Sequence, residues 1–226
     1  MNIKPILLVA GEPNSVFLEI FFKIYRKNKF KSPLILIASK KVLDLQMKKL
    51  NFSKKIRFLN PQRLNSYKLN NKTINLIDVK YNSSKAFEKI SSKSKKYIED
   101  CFKTAIKIMN SEYTFKLING PISKKDFLNK RFPGVTEYLA DKFKRKNFAM
   151  LIYNKKLSVS TITTHLPIKN VSKNLNKKLI INKVYLIDNF FKKFIGINKP
   201  RIGVAGLNPH CESTNNFNED LKILKP

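Results

Sequence analysis

Ile6-Leu7-Leu8-Val9-Ala10, the segment Ser15 to Lys27, and Pro33-Leu34-Ile35-Leu36-Ile37-Ala38 decide the fold of this chain. Two uninterrupted apolar runs of strand length flank a segment in which Val16, Ile20 and Ile24, with Phe17 and Phe21, recur at helical spacing on adjoining faces. Strands apolar on both faces need cover on both sides, and a strand, helix, strand order provides it only in a largely parallel sheet. Further out, the pattern predicts a helix over Lys41 to Leu50, strands over Lys55 to Leu59 and Asn75 to Tyr81, and a helical segment from Ser84 to Met109. A strand from Thr114 to Asn119 ends at Gly120-Pro121, and Ser123 caps a short helix to Lys130. Phe148 to Tyr153 and Leu157 to Thr163 read as a hairpin on the polar turn Asn154-Lys155-Lys156. A helix over Lys177 to Phe194, a last strand over Arg201 to Leu207 and a mobile loop at Asn215 to Asn218 complete the reading. The expected fold is α/β, with the hairpin as a local antiparallel feature.

With 226 residues, 42% of them hydrophobic, the chain can bury a large core. Its first apolar run is too short to span a membrane and meets no small-residue cleavage site before Glu12, so no membrane association is expected. Cys101 and Cys211 are the only cysteines, which is no disulfide framework and suggests a cytoplasmic protein. The net charge of +31 invites a nucleic-acid reading. Its make-up argues against one: arginine occurs only at positions 26, 57, 63, 131, 145 and 201, and the lysines are spread over every predicted helix instead of lining one stripe. A solvated basic surface that favours anionic substrates is the expectation. No Gly-x-Gly-x-x-Gly and no Gly-Lys-Ser/Thr phosphate loop is present, so a nucleotide would have to bind by another route. The Gly11-Glu12-Pro13-Asn14-Ser15 turn opens a helix and could aim free N–H groups at an anion.

The two histidines, His165 in Thr163-Thr164-His165-Leu166-Pro167 and His210 in Gly206-Leu207-Asn208-Pro209-His210, both fall where a predicted strand runs out. Open α/β sheets gather ligand groups at the carboxyl ends of strands, so two scarce imidazoles there suggest one shared site, a metal centre or an acid/base pair.

Five motifs in order, Gly11-Glu12-Pro13 through Glu19, Asn119-Gly120-Pro121-Ile122-Ser123-Lys124, Pro133-Gly134-Val135-Thr136-Glu137-Tyr138-Leu139-Ala140 and the two histidine segments, resemble the 4-hydroxythreonine-4-phosphate dehydrogenases of vitamin B6 biosynthesis. The resemblance implies a two-lobed fold like that of isocitrate and isopropylmalate dehydrogenases, with a first lobe over about residues 1–120 and a dimer-forming second lobe over about 121–226. It implies oxidation of 4-phosphooxy-L-threonine by NAD or NADP, then decarboxylation to 3-amino-2-oxopropyl phosphate, in a homodimer with its site at the interface. It also implies a divalent metal (Zn, Mg or Co) held by three histidines, two of them matched by His165 and His210, which polarises the substrate oxygen. Thr136 matches a substrate-binding threonine, and Lys124 is a candidate further contact.

The departures are specific. Val135 stands where the family places a substrate-binding histidine, and Ser15, Phe17 and Leu18 replace two glycines and a proline of the opening loop. Glu212-Ser213-Thr214-Asn215-Asn216 replaces a glycine-rich stretch. The third metal histidine and later Lys, Asn and Arg contacts are expected beyond Pro226, as is the return of the chain to the first lobe, so the C-terminal third is expected to be missing. A degenerate inactive paralogue and a lysine-rich anion- or nucleic-acid-binding protein on the same scaffold are the alternatives these departures leave.

Overall fold

The computed structural model describes residues 3–27, 30–128, 131–207 and 220–224. The chain divides into two compact units, Met1–Phe132 and Pro133–Pro226.

In the first unit five parallel strands form one sheet in the order β3-β4-β2-β1-β5: β1 Ile6–Val9, β2 Leu34–Ala38, β3 Ile56–Phe58, β4 Ile74–Asp78 and β5 Leu117–Asn119. Side chains alternate across the sheet. Leu8, Ala10, Leu34, Leu36, Ala38, Ile74 and Leu76 face helices α1 (Phe17–Lys27) and α2 (Lys40–Lys49), packing with Leu18, Phe21, Phe22, Tyr25, Val42 and Leu43. Leu7, Val9, Ile35 and Ile37 point to the other face and are fully buried where α3 (Lys95–Asn110) packs on β1 and β2 with Ile98, Phe102 and Ala105. Both faces are covered, as the unbroken apolar strands require.

Several boundaries differ from the sequence expectation, each for a local reason. Helix α1 starts at Phe17, because the Ser15 hydroxyl accepts the Phe17 N–H. Its buried stripe is Leu18, Phe21, Phe22 and Tyr25, leaving Val16, Ile20 and Ile24 exposed. The helix expected from Ser84 forms only from Lys95: the Glu88 carboxylate takes the Ser84 N–H and the Ser83 and Ser84 hydroxyls, and Phe87 adopts φ 58°, which no right-handed helix allows. The strand expected to run to Tyr81 ends at Asp78, where the Asp78 carboxylate turns back to accept the Lys40 N–H at the start of α2.

Cys101 is fully buried, and burial pushes its thiol up to about 12, which makes it an inert core residue. Cys211 lies outside the described residues.

The second unit holds helices α4 (Val135–Lys142), α5 (Val171–Asn174) and α6 (Lys177–Phe190), with a hairpin of β6 (Leu151–Ile152) and β7 (Val159–Ser160). Asn176 caps α6 through the Leu179 N–H, and one wider turn extends it to Gly196 at φ 81°. The hairpin is antiparallel as expected but only two residues deep on each side. The strand expected at Arg201–Leu207 does not form: the segment is exposed throughout and joins no sheet, because apolar alternation makes a strand only where a neighbour supplies its backbone partners. Among the described residues no helix is long and apolar enough to cross a membrane.

Candidate functional site

In the first unit the carboxyl ends of β1 and β5 lie side by side, and the strand order reverses there: β2 lies on one side of β1, while the chain returns from β4 to the other side as β5. Such a reversal opens the crevice in which α/β sheets bind ligands. Gly11 and Gly120 close its floor. Gly120 N donates to Val9 O at 2.7 Å and Glu12 N to Pro121 O at 2.8 Å, so the two loops run in backbone contact. A methyl group on Gly11, at φ 72°, would lie 2.4 Å from Pro121 O.

Above this floor sits Glu12, a buried carboxylate that accepts the Ser94 hydroxyl at 2.5 Å and, more weakly, the Asn14 backbone and side-chain N–H groups. The Asn14 side-chain oxygen accepts the Glu88 N–H at 2.9 Å, and Gln46, buried on α2, donates to Pro13 O at 2.7 Å. The Gly-Glu-Pro loop is thereby tied to the segments before α3 and to α2. Tyr81, packed on Tyr97 at 5.1 Å, has its phenol pushed up by burial and then by the negative charges of Glu12 and Glu88. Lys124 is exposed at the start of a single wide turn, Lys124–Leu128, whose Ser123 hydroxyl bonds Asp126.

Glu88 carries a pH prediction. The Ser84 N–H, then the Ser84 and Ser83 hydroxyls, hold its carboxyl down to about 2. A depressed folded value means the stabilisation is complete above the ordinary carboxylate range and is lost as pH falls towards 2. Segment 83–91 is expected to loosen below about pH 4.5. A carboxyl-carbon NMR titration of Glu88 with a midpoint near the ordinary value would refute this.

In the second unit Gly134 precedes α4 with extended backbone, and α4 opens on Val135, Thr136 and Glu137. Glu137 Oε1 accepts the Thr164 hydroxyl at 2.8 Å, while Oε2 is buried without a hydrogen-bond partner. His165 follows Thr164 in the left-handed region at φ 56°. A methyl group at Gly134 would lie 2.9 Å from Glu137 Oε2 and 3.0 Å from His165 Nε2, so both atoms lie close against Gly134 and leave no room for a side chain there. Lys183 of α6 is buried nearby, its ammonium donating to Phe148 O and lying 4.8 Å from the Phe148 ring centre. Burial pushes the Lys183 pKa down and the charge of Glu137 opposes that shift.

The structure thus places His165 close to Gly134 and Glu137, on either side of Val135 and Thr136 in the sequence. The sequence expectation that His165 and His210 share a site concerns a residue outside the described ones. Among the described residues no group of three His, Cys, Asp or Glu side chains forms a metal cluster. Glu137, Thr164 and Lys183 were not singled out in the sequence: Glu137 reads as an ordinary first-turn helix acid, and only the fold shows that its second oxygen is buried beside an imidazole.

The family model of the pyridoxal phosphate biosynthetic protein PdxA matches residues 29–226. A protein of Sulfurihydrogenibium sp. named 4-hydroxythreonine-4-phosphate dehydrogenase is 34% identical over 97% of this chain and 68% of its own length. One from Salmonella typhimurium named D-threonate 4-phosphate dehydrogenase is 26% identical over the whole chain and 70% of its own length. The crystal structure of a Klebsiella pneumoniae 4-hydroxythreonine-4-phosphate dehydrogenase superimposes with a TM-score of 0.80 at 24% identity, over 98% of this chain and 69% of that one, and so shares the fold. By the family match over most of its length and the 34% identical relative, the chain belongs to the PdxA family of pyridoxal phosphate biosynthetic proteins.

Proposed function

We propose that this chain is an NAD(P)-dependent, divalent-metal-assisted dehydrogenase that oxidises 4-phosphooxy-L-threonine and releases CO2 to leave 3-amino-2-oxopropyl phosphate. The family membership supports the reaction class, and one observation supports a site at the start of α4: His165 Nε2 lies close against Gly134, directly before the motif residues Val135 and Thr136. Imidazole nitrogens suit zinc or a similar divalent ion.

A divalent metal held here would supply a Lewis acid for the substrate oxygen, and a bound nicotinamide would supply the hydride acceptor. The chain's own groups do the rest. His165, with His210 matched beside it by the family resemblance, would hold the metal through a ring nitrogen. Thr136, in the first turn of α4, offers its hydroxyl and the helix N-terminal N–H groups to an anionic substrate group, and Lys124 is a candidate contact by the family resemblance alone. Val135 presents an apolar wall where the family resemblance expects an imidazole, so substrate selection at that wall rests on shape, and D-threonate 4-phosphate is the second substrate to test. The active form is a homodimer: Leu157 and Ile168 of the second unit are 75% and 91% exposed, apolar surface that a partner copy would cover.

The test is formation of reduced nicotinamide from either phosphorylated hydroxy acid with NAD+ or NADP+, with and without a chelator. Activity that the chelator abolishes, and that His165→Ala lowers about a hundredfold or more, is expected, by analogy with losses seen when metal-site ligation is disturbed. No turnover of either substrate with any of Zn, Mg or Co would establish the inactive-paralogue reading, and full activity of His165→Ala would remove the metal assignment. Salt-sensitive retention on nucleic acid in place of turnover would favour the anion-binding alternative.

A further inference from the structure

We infer that the first unit carries a binding site of its own, a lysine-lined cavity at the carboxyl ends of β2 and β4 that takes the phosphate group of a small phosphorylated molecule. The cavity is built entirely of residues between 41 and 97, and the inference does not depend on the reaction proposed above.

Along the sequence the lysines form no stripe, yet the fold gathers four of them. Lys41 comes from the first turn of α2, Lys80 from the segment after β4, Lys93 from the turn before α3 and Lys96 from the first turn of α3; together they line a cavity of about 570 Å3. That volume suits a small molecule. The place suits one too: β2 and β4 are neighbours in the sheet, and the ends at which both chains leave it are where open α/β sheets collect ligand groups.

The charge of the cavity is not neutralised from within. Lys96 pairs with Asp100 at 2.8 Å, whereas Lys41, Lys80 and Lys93 form no ion pair among the described residues. Glu88 is the one acid in the lining, and it pairs with none of the four lysines: its Oε1 is drawn into its own loop by the Ser84 N–H at 2.7 Å and by the Ser84 and Ser83 hydroxyls at 2.9 and 3.0 Å. Three unpaired ammonium groups against one carboxylate leave the cavity positive, and a concave surface focuses that field. A carboxylate ligand brings a single charge. A phosphate monoester brings about −1.5 to −2 and three acceptor oxygens, enough to meet several lysines at once. The walls are in place beforehand, which lowers the cost of binding: the Glu88 N–H donates to Asn14 Oδ1 at 2.9 Å, the Tyr97 hydroxyl accepts the Ser39 N–H at 3.1 Å, and the Tyr81 and Tyr97 rings pack 5.1 Å apart.

The test titrates the full chain with inorganic phosphate and pyrophosphate, with acetate as the singly charged control, and follows backbone amide NMR shifts alongside calorimetric affinity. Phosphate and pyrophosphate are expected to saturate and to move the amides of Asn82, Ser84, Lys93 and Lys96, while acetate does neither. The double variant Lys80→Gln, Lys93→Gln is expected to weaken pyrophosphate binding by about tenfold or more, the cost of lost charge-assisted contacts. Lys48→Gln with Lys49→Gln removes the same charge from the last turn of α2, outside the cavity, and at physiological salt should change affinity by less than about twofold. Lys80→Arg with Lys93→Arg keeps the charges and should retain binding. All these side chains except that of the half-buried Lys48 are exposed, so the variants should keep the parent melting temperature.

Equal losses in the two glutamine double variants would overturn the site, because affinity would then follow the overall charge of the protein. Failure to saturate at millimolar phosphate, or shifts scattered over the surface, would overturn it as well. Competition with NADP+ separates the two sources of the phosphate: NADP+ that displaces pyrophosphate and moves the same amides marks the cavity as a place for a dinucleotide phosphate, and pyrophosphate binding indifferent to NADP+ marks it as a site for a separate phosphorylated molecule. Either result upholds the cavity as a phosphate site, and neither bears on the metal at the start of α4.

Discussion

Gly120→Ala is expected to destabilise the protein by about 3 kcal/mol or more, at the upper end of what overpacking costs. The added methyl group would lie 2.2 Å from Ala10 O, 2.8 Å from Ala10 C and 2.8 Å from the Phe17 ring. The first two are backbone atoms at the end of β1. They cannot recede, because β1 is paired on both sides, with β2 and β5, and the Gly120 N–H already holds Val9 O at 2.7 Å. Relief must come from separating the β1 and β5 loops, and with them the Glu12 to Pro121 bond that shapes the Gly-Glu-Pro turn. For a chain of this size the loss corresponds to a fall in melting temperature of about 10 °C. Gly203→Ala is the control. No atom lies within 4 Å of a side chain there, and its stability should be unchanged to within about 0.5 kcal/mol. Equal melting temperatures for Gly120→Ala and Gly203→Ala would show that the two loops are not held in contact.

Phe102→Ala is expected to cost about 3–5 kcal/mol, the range for emptying a fully buried aromatic site. Phe102 is 0% exposed on the sheet-facing side of α3 and stacks on Phe127, 6.0 Å between ring centres at 26°. That stacking joins α3 to the turn that carries Lys124, so the cavity would weaken both the helix on the sheet and the loop after β5. Phe115→Ala offers the contrast, since Phe115 is half exposed and should cost under about 1 kcal/mol. Denaturant midpoints measured at unchanged slope separate the two. A Phe102→Ala midpoint no lower than that of Phe115→Ala would mean that α3 does not pack as described.

The alternation of apolar runs and helical spacing from Ile6 onward was enough to foresee a parallel α/β sheet, because burial on both faces leaves a sequence trace at every strand position. The motif at Pro133 to Ala140 and the Thr163 to Pro167 segment likewise marked two stretches of the second unit that the fold joins, through the Thr164 to Glu137 bond. The helix expected from Ser84 and the strand expected at Arg201 to Leu207 misled for one reason. Composition and spacing report what a segment could bury, and whether it does so depends on the carboxylate, or the missing neighbouring strand, that competes for its backbone.

What the sequence by itself determined was the order of elements, the apolar faces that build the sheet, and the residue types available at the strand ends. Only the tertiary structure decided which of those residues share a space. Glu12 and Ser94, 82 positions apart, meet in a 2.5 Å bond. Glu137 and His165 meet over Gly134 because α4 and the left-handed turn after β7 are brought together across 27 intervening residues. Local propensity acts over a few neighbours along the chain, whereas a buried donor or acceptor finds its partner through the packing of the whole unit, and that pairing is written in no single stretch of the sequence.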